Sequence, residues 1–430
     1  MSDMDRSERE LRLREAASRG CEESRLVLSR RGMMGLTAGL FSWGFMPKVA
    51  EAASTDPRLL VVILRGGMDG LSAVAPYGEG GTYTLARGSD ALYLPPKKLI
   101  KLADRQYPKF FGLHPQFRNF GKWYDDGDAA IVHACCVPVR IRSHFEGQDN
   151  LENGYGGAAI GSADGWLNRL LSKLDKGHPV KARGAIQIGE APLILQGSEP
   201  VLGWSASTIR HVEDPTLFLI RQMYEAEDSQ FSSMLEQGLK GRAMAEGETQ
   251  DPSEDTDLKV GFAGAGRLLA SRRGPRIAAL SISGYDTHTS QGGLEGDLAE
   301  LFAELDDGLG YFRRNVGTAW KNTVVMIVTE FGRRVQVNGN DGSDHGTGTV
   351  AMLCGGAVNG RQVVADWPGL APGELLDGRD LKATIDLRSV FKGVLRDHFS
   401  ISETMLAEVF PPKDFNDIAN SAPLNGLIKG

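Results

Sequence analysis

Five short runs of apolar residues recur along the chain and constrain its fold more than any other feature. They lie at residues 59–64, 129–134, 277–282, 323–328 and 349–353. Each is as long as one strand, and none alternates regularly between apolar and polar side chains. This pattern is typical of strands that are buried on both faces, as in a largely parallel sheet.

Between the third and fourth runs, apolar side chains recur at helical spacing with acidic residues on the opposite face. The apolar stripe consists of Leu294, Leu298, Leu301, Phe302, Leu305, Leu309 and Phe312. Strand, helix and strand in succession form the βαβ unit of parallel sheets. Residues 386–398 and 217–239 predict further helices. We therefore expect an α/β fold, with a mostly parallel central sheet flanked by helices on both faces, in a single domain at residues 53–430.

Residues 1–52 have the features of an export signal with an N-terminal extension. Arg30 and Arg31 precede an apolar run of about 12 residues, and Ala50-Glu51-Ala52 provides a small-x-small cleavage site. A membrane-spanning helix needs ~20 apolar residues, so the run is too short for a stable membrane span. We expect a twin-arginine signal, the twin-arginine export machinery as a partner, and a periplasmic or secreted protein.

Charge and cysteine usage exclude two classes of protein. The net charge is −7, and the sequence contains no basic block and no basic–aromatic interleaving, so nucleic acid is not expected as a partner. Of the four cysteines, Cys21 lies in the expected signal, which leaves Cys135, Cys136 and Cys354. An odd number of cysteines does not indicate a disulfide framework.

Residues with reactive side chains adjoin the predicted strands at the points where ligands bind in such sheets. Four carboxylates and two histidines occur there: Asp69, Asp286, Glu330, Asp344, His288 and His345. Any one of them could be a turn residue or half of an ion pair. As a set, the carboxylates would repel one another unless a cation lay between them. Mixed Asp/His shells suit zinc, manganese or similar ions, so the set predicts a divalent metal site with one or two ions.

Five motifs at these strand ends resemble a known family. They are RGGMDG (65–70), RSHFEGQD (142–149), GYDTH (284–288), TEFGRR (329–334) and SDHGTG (343–348). With the leader, they look like the exported proteins catalogued as domain of unknown function 1501. The order of the acidic, serine and histidine residues also resembles the alkaline-phosphatase superfamily, which includes sulfatases.

The resemblance implies an alkaline-phosphatase-like fold and assigns roles to individual residues. Asp69 corresponds to the metal-binding Asp after the first strand, and Ser143 to the nucleophile. Asp286, His288 and His345 correspond to the ligands of one metal, while Glu330 stands where an Asp would bind a second. Phe331 occupies a position where many members of the superfamily have another His, which leaves one ion or two open.

Two residues compete as the nucleophile. Ser143 lies at a predicted helix start, where the helix dipole and a metal ion would favour a reacting hydroxyl. The same position suits a plain N-cap in a capping box with Glu146. Cys136 begins a C-x-P-x-R sequence, the form in which sulfatases convert cysteine into formylglycine, although the rest of that signature is missing.

Three arginines in or beside these motifs, Arg65, Arg142 and Arg333, could bind a substrate oxyanion through bidentate contacts. Each could equally pair with a neighbouring acid. The leading hypothesis is an exported metal-dependent hydrolase of phosphate or sulfate esters, with an unidentified small-molecule ester as substrate. The alternative is a non-catalytic exported binding or assembly protein with the same fold.

Overall fold

The computed structural model describes residues 56–156, 164–189, 192–205, 257–411 and 422–430, together with Phe218 and Gln222. The expected export signal lies outside the described residues. So does the helix predicted at 217–239, apart from those two positions.

The described strands are β1 Arg58–Leu64, β2 Val74–Ala75, β3 Ile100–Lys101, β4 Gly112–Leu113, β5 Ala129–Cys136, β6 Ala185–Ile188, β7 Leu202–Trp204, β8 Ile277–Ile282, β9 Thr323–Thr329, β10 Thr349–Cys354, β11 Gln362–Val364 and β12 Ile385–Asp386. The described α-helices are α1 Gly70–Ala73, α2 Gly81–Arg87, α3 Arg118–Asp126, α4 His144–Asn153, α5 Trp166–Lys173, α6 Pro179–Arg183, α7 Asp257–Ala270, α8 Asp297–Val316, α9 Leu387–Phe399 and α10 Glu403–Val409. None of these helices is both long enough and apolar enough to cross a membrane.

Nine strands form the central sheet, in the order β11-β5-β10-β9-β1-β8-β6-β7, with β12 also paired to β5. All described pairings in this sheet are parallel except those of β10 with β5 and β9. The expectation of a mostly parallel sheet is therefore confirmed. The five predicted strands are the five central neighbours, from β5 to β8. The short strands β2, β4 and β3 form a separate antiparallel sheet.

Both faces of the sheet are covered by helices. Every side chain of β1 is buried, and successive residues point to opposite faces. Leu60 and Val62 belong to a hydrophobic core shared with α3, α7 and α8. Leu59 and Val61 belong to a second core shared with α5, α9 and α10. The predicted helices at 294–312 and 386–398 correspond to α8 and α9.

The direction of β10 determines which residues meet at the edge of the sheet. β5, β8 and β9 run parallel to β1, so the residues that follow them emerge at one edge. Because β10 runs the opposite way, the residues that precede it emerge at this same edge. The segments after β1, β5, β8 and β9 and the segment before β10 are thus brought together.

His133 should make the metal-free protein less stable in mild acid. It is fully buried in β5, its Nε2 lies 2.9 Å from Val74 O, and burial lowers its pKa to about 4. An unfolded histidine has a pKa of about 6.5, so between pH 6.5 and 4 the unfolded chain binds a proton that the folded chain does not. The free energy of unfolding should therefore fall as the pH decreases through this window, by up to about 3 kcal/mol from this residue.

Urea denaturation of metal-free protein between pH 7.5 and 4 measures this effect. His133→Gln is expected to be less stable at pH 7.5 but to lose less further stability on acidification than the unmodified protein. Equal pH dependence in the two proteins would show that His133 is not buried in its neutral form.

Candidate active site

Three histidines and one aspartate converge at this edge of the sheet. His144 begins α4, Asp286 and His288 follow β8, and His345 precedes β10. The Nε2 atom of His345 lies 3.0 Å from His144 Nε2, 2.9 Å from His288 Nε2 and 3.0 Å from Asp286 Oδ1. Three imidazole nitrogens and a carboxylate oxygen therefore approach one small volume.

The spacing of these atoms suits a single metal ion. One ligand atom each from His144, Asp286 and His345 lies within 4.8 Å of the others. His288 Nε2 joins the group at 3.1 Å from Asp286 Oδ1. Imidazole and carboxylate donors in this combination are typical of sites for zinc and related transition metals.

Each imidazole has an acceptor for its other ring nitrogen. Nδ1 of His144 lies 2.8 Å from Glu330 Oε1, and Nδ1 of His345 lies 2.8 Å from the Arg142 carbonyl oxygen. Nδ1 of His288 faces Asp344 Oδ1 at 3.5 Å. An imidazole that donates from Nδ1 presents an unprotonated Nε2. Lone pairs cannot hydrogen-bond to one another, so the contacts between the Nε2 atoms require a proton or a metal cation.

Glu330 supports His144 and is not among the atoms that converge. Its carboxylate is fully buried and also accepts hydrogen bonds from Gly66 N at 2.9 Å, Gln148 Nε2 at 3.2 Å and Thr329 Oγ1 at 3.1 Å. Burial alone would raise the pKa of Glu330, but the hydrogen bond and charge of His144 lower it. An ionised Glu330 therefore orients the His144 ring.

Gly66 allows this close approach between the loop after β1 and the loop after β8. It has a φ of +119°, and a Cβ atom there would lie 2.3 Å from the backbone nitrogen of Asp286. Only glycine fits such a position without displacing the neighbouring backbone.

Asp69 does not join the converging groups. It is the buried N-cap of α1, where Oδ1 accepts a hydrogen bond from Leu71 N. Oδ2 accepts from Gln291 Nε2 at 2.7 Å and Ser72 Oγ at 3.0 Å and forms an ion pair with the buried Arg87. Burial raises the pKa of Asp69, but Arg87 outweighs this and holds the pKa low. Its charge is balanced by the protein itself.

Asp344 lies at the margin of the cluster. Its Oδ1 accepts a hydrogen bond from Asn338 Nδ2 at 3.1 Å, and its Oδ2 lies 3.8 Å from Arg334 Nη1. Slight burial raises the pKa of Asp344, but hydrogen bonds from Asn338 and His288 lower it. Asp344, like Glu330, therefore faces the Nδ1 atom of a histidine, on the side of the ring away from the converging Nε2 atoms.

The electrostatics at the convergence point favour positive charge. Burial alone would raise the pKa of Asp286, but hydrogen bonds from the three histidines and the charge of Arg333 hold it well below its ordinary value. For His144, burial alone would lower the pKa, but the hydrogen bonds to Asp286 and Glu330 outweigh burial and raise the pKa to about 9.

The three candidate arginines differ in their partners. Arg65 pairs with Glu152 at 2.8 Å, and Arg142 pairs with Asp380 at 2.7 Å. Arg333 is 1% exposed, and its Nη2 lies 3.0 Å from Asp286 Oδ1. Its guanidinium nitrogens make no well-aligned hydrogen bond within the described parts of the chain. Arg333 thus places a buried positive charge directly behind Asp286.

A cavity of about 700 Å³ opens beside His345. It is lined by Val139, Arg140, Ile141, Arg142, Ser143, Glu146 and His345. Ser143 is the N-cap residue of α4, but its side chain makes no capping hydrogen bond, so the capping box with Glu146 is not formed. Cys136 is buried at the end of β5, and its Sγ lies 2.9 Å from Val137 O. Of the two candidate nucleophiles, Ser143 lines the cavity.

Sequence reasoning did not identify His144 as part of the site. The residue stands in the RSHFEGQD motif directly after Ser143. Its position in the segment that follows β5, at the same edge that supplies the other candidates, was the available signal. Gln148, one turn further along α4, was missed as well.

Residues 115–410 match the family described as protein of unknown function (DUF1501), which is more than half of the chain. The chain belongs to this family. The matched region contains Ser143 and all four converging residues, while β1 and Asp69 precede it. No curated protein matches the sequence.

Solved structures with similar folds include enzymes of several kinds. PsFucS1 sulfatase from Pseudoalteromonas sp. is 12% identical, with 84% of this chain and 71% of that chain covered and a TM-score of 0.37. Alkaline phosphatase from the Antarctic bacterium TAB5 is 10% identical, with 70% and 91% covered and a TM-score of 0.30. Ps i-CgsB, solved in complex with k-i-k-neocarrahexaose, is 11% identical, with a TM-score of 0.32. The alignment covers 70% of this chain and 66% of Ps i-CgsB, just under two thirds of its length.

Proposed function

We propose that this DUF1501 protein is a metal-dependent hydrolase of phosphate or sulfate esters, with Ser143 as the nucleophile. The observation that supports this most directly is the convergence of three imidazole Nε2 atoms and the Asp286 carboxylate beside a cavity lined by a serine without a capping hydrogen bond. A binding or assembly protein has no need for such a donor set next to a serine hydroxyl that lines a cavity.

We propose one divalent ion per chain, zinc or manganese, held by His144, Asp286, His288 and His345. Such an ion polarises an ester oxygen and lowers the pKa of a nearby hydroxyl. The charge of Asp69 is already balanced by its ion pair with Arg87, and the Glu330 carboxylate is already in contact with His144 Nδ1. These contacts leave neither carboxylate available for a second ion.

The protein's own residues supply orientation and charge. Ser143 stands at the N-terminus of α4, where free N–H groups favour negative charge on its oxygen and on a bound oxyanion. Attack by Oγ would form an O–P bond and break the ester P–O bond, and the proton of the Ser143 hydroxyl would pass through solvent to the departing oxygen, releasing the alcohol. Water would then cleave the phosphoserine and release phosphate. Since Cys136 does not line the cavity, this arrangement favours phosphate esters over formylglycine-dependent sulfate hydrolysis.

Elemental analysis combined with an ester assay tests the proposal. We expect about one zinc or manganese ion per chain and hydrolysis of p-nitrophenyl phosphate that is lost on chelation and restored by that metal. p-Nitrophenyl sulfate serves as the paired substrate. Metal content near zero, or no hydrolysis of either ester across zinc, manganese, magnesium and calcium, would favour the binding or assembly alternative.

We also propose export through the twin-arginine route, on the basis of Arg30 and Arg31 in the leader. Replacing both with lysine should strand the precursor in the cytoplasm, because the paired arginines are the part of the signal that this route recognises. Fractionation with immunodetection measures the distribution, and Arg25→Lys in the same leader provides the control. Normal export of the double variant would rule out this route.

A further inference from the structure

Glu146 is a charged residue of the cavity that the proposed reaction does not use. It lies in the first turn of α4, three residues after Ser143, and both side chains line the cavity. Ser143 is the N-cap and Glu146 the third residue of the helix, so the two lining residues are separated by less than one turn of chain. The Glu146 side chain makes no ion pair or side-chain hydrogen bond within the described residues.

The other charged residues of the cavity do not balance Glu146. Arg142 forms ion pairs with Asp380 at 2.7 Å and Asp377 at 3.1 Å. Arg140 has an interaction of its own, and Glu146 is not its partner. Within the described residues, the cavity therefore contains a carboxylate without an ion pair, next to a site that we propose for an anionic ester group.

This carboxylate constrains the part of a substrate that lies beyond the ester. An additional negative charge there would be repelled by Glu146, whereas an ammonium group could form a charge-assisted hydrogen bond with it. The ester group itself would lie beside His345 and Ser143, and the alcohol would extend along the wall that carries Glu146. The cavity is thus polarised, with the proposed metal cation on one side and an anionic group on the wall.

We propose that Glu146 determines substrate specificity by selecting phosphate monoesters whose alcohol carries an ammonium group. This inference rests on the proposed function and narrows its substrate class. The feature that carries it is the juxtaposition of an uncompensated carboxylate and the uncapped Ser143 on one wall of the cavity.

Three phosphate monoesters of similar size test the inference: O-phosphoethanolamine, propyl phosphate and carboxymethyl phosphate. They differ chiefly in carrying an ammonium, a methyl or a carboxylate group at the far end of the alcohol. For the metal-loaded protein we expect kcat/KM to decrease in that order, by about tenfold at each step. Loss of the ammonium group removes a hydrogen bond to a charged group, and the carboxylate adds repulsion by Glu146. The differences should appear mainly in KM, because Glu146 acts on binding.

Glu146→Gln keeps the size of the side chain and removes its charge, so the preference should shrink to within about threefold. Glu146→Lys should reverse the order. Glu403→Gln is the matched control, since Glu403 lies in the first turn of α10 away from the cavity, and this variant should retain the full preference.

Calorimetric titration of the same three compounds separates this inference from the proposed function. Binding in the expected order without turnover would contradict the hydrolase but support the role of Glu146. Turnover of all three at similar kcat/KM, or a preference that survives in Glu146→Gln, would overturn the inference while leaving the hydrolase in place. Absence of both turnover and charge-ordered binding would overturn both.

Discussion

His345→Ala is expected to reduce metal affinity at least a hundredfold and ester hydrolysis at least a thousandfold. The Nε2 atom of His345 lies within 3.0 Å of His144, His288 and Asp286, so its loss removes the centre of the ligand set. Changes in residues that merely support metal ligands typically cost 10–100-fold in affinity or activity, and loss of a ligand should cost more. Equilibrium dialysis with elemental analysis and the aryl phosphate assay measure the two losses.

Stability measurements distinguish loss of the metal from general damage. Ligand present at 100 times its dissociation constant stabilises a protein by about 2.7 kcal/mol, so metal-loaded protein should lose at least this amount when His345 is replaced. In chelator the difference should be much smaller, because the contribution of metal binding to the free energy of unfolding is then absent from both proteins. His178→Ala is the matched histidine control. His178 caps α6 through Nδ1, so its loss should cost ~1 kcal/mol and leave the metal bound. Unchanged metal content in His345→Ala would contradict the proposed site.

Ser143→Ala is expected to reduce the kcat of hydrolysis by at least about a thousandfold. Metal content and the free energy of unfolding should stay near those of the unmodified protein. The hydroxyl makes no capping hydrogen bond to α4, so its removal should change the free energy of unfolding by no more than ~0.5 kcal/mol. Steady-state kinetics, elemental analysis and urea denaturation on the same preparation check all three expectations.

Ser402→Ala is the complementary control for this experiment. Ser402 caps α10 by accepting a hydrogen bond from Met405 N at 3.3 Å, so its loss should cost ~1 kcal/mol and leave turnover unchanged. Cys136→Ala should also retain turnover of aryl phosphate. If Cys136→Ala is inactive toward aryl sulfate, and mass spectrometry shows that the Cys136 peptide has lost its thiol sulfur, the nucleophile is formylglycine and not Ser143.

The centre of the fold could be predicted from the sequence, but its edges could not. Strands β1, β5, β8, β9 and β10 are buried on both faces, and such burial requires the continuous apolar runs that are visible in the sequence. The edge strands β7, β11 and β12 have only two or three residues and contain partly exposed positions. Segments this short carry too little periodicity to be distinguished from loops.

The candidate site was predictable to the extent that it depends on topology. Strand ends identify Asp286, His288 and His345, which the structure brings together. Whether a carboxylate is free to bind a metal depends on which cation the fold places beside it. Asp69 is paired with Arg87 on the separate helix α2, a contact that no local pattern in the sequence reveals. The same limit applies to Glu330, whose orientation toward His144 links residues 186 positions apart.

The antiparallel direction of β10 has a consequence for the order of assembly. It makes the site depend on His345, which lies 201 positions after His144 and 57 after His288. Before β10 pairs with β5 and β9, His345 is not in place. The chain then has at most three of the four proposed metal ligands near one another, and these are not yet fixed in position. We therefore expect metal capture to be among the last events of folding. If the proposed twin-arginine route carries the precursor across the membrane already folded, the ion would come from the cytoplasmic metal pool and not from the compartment that receives the protein.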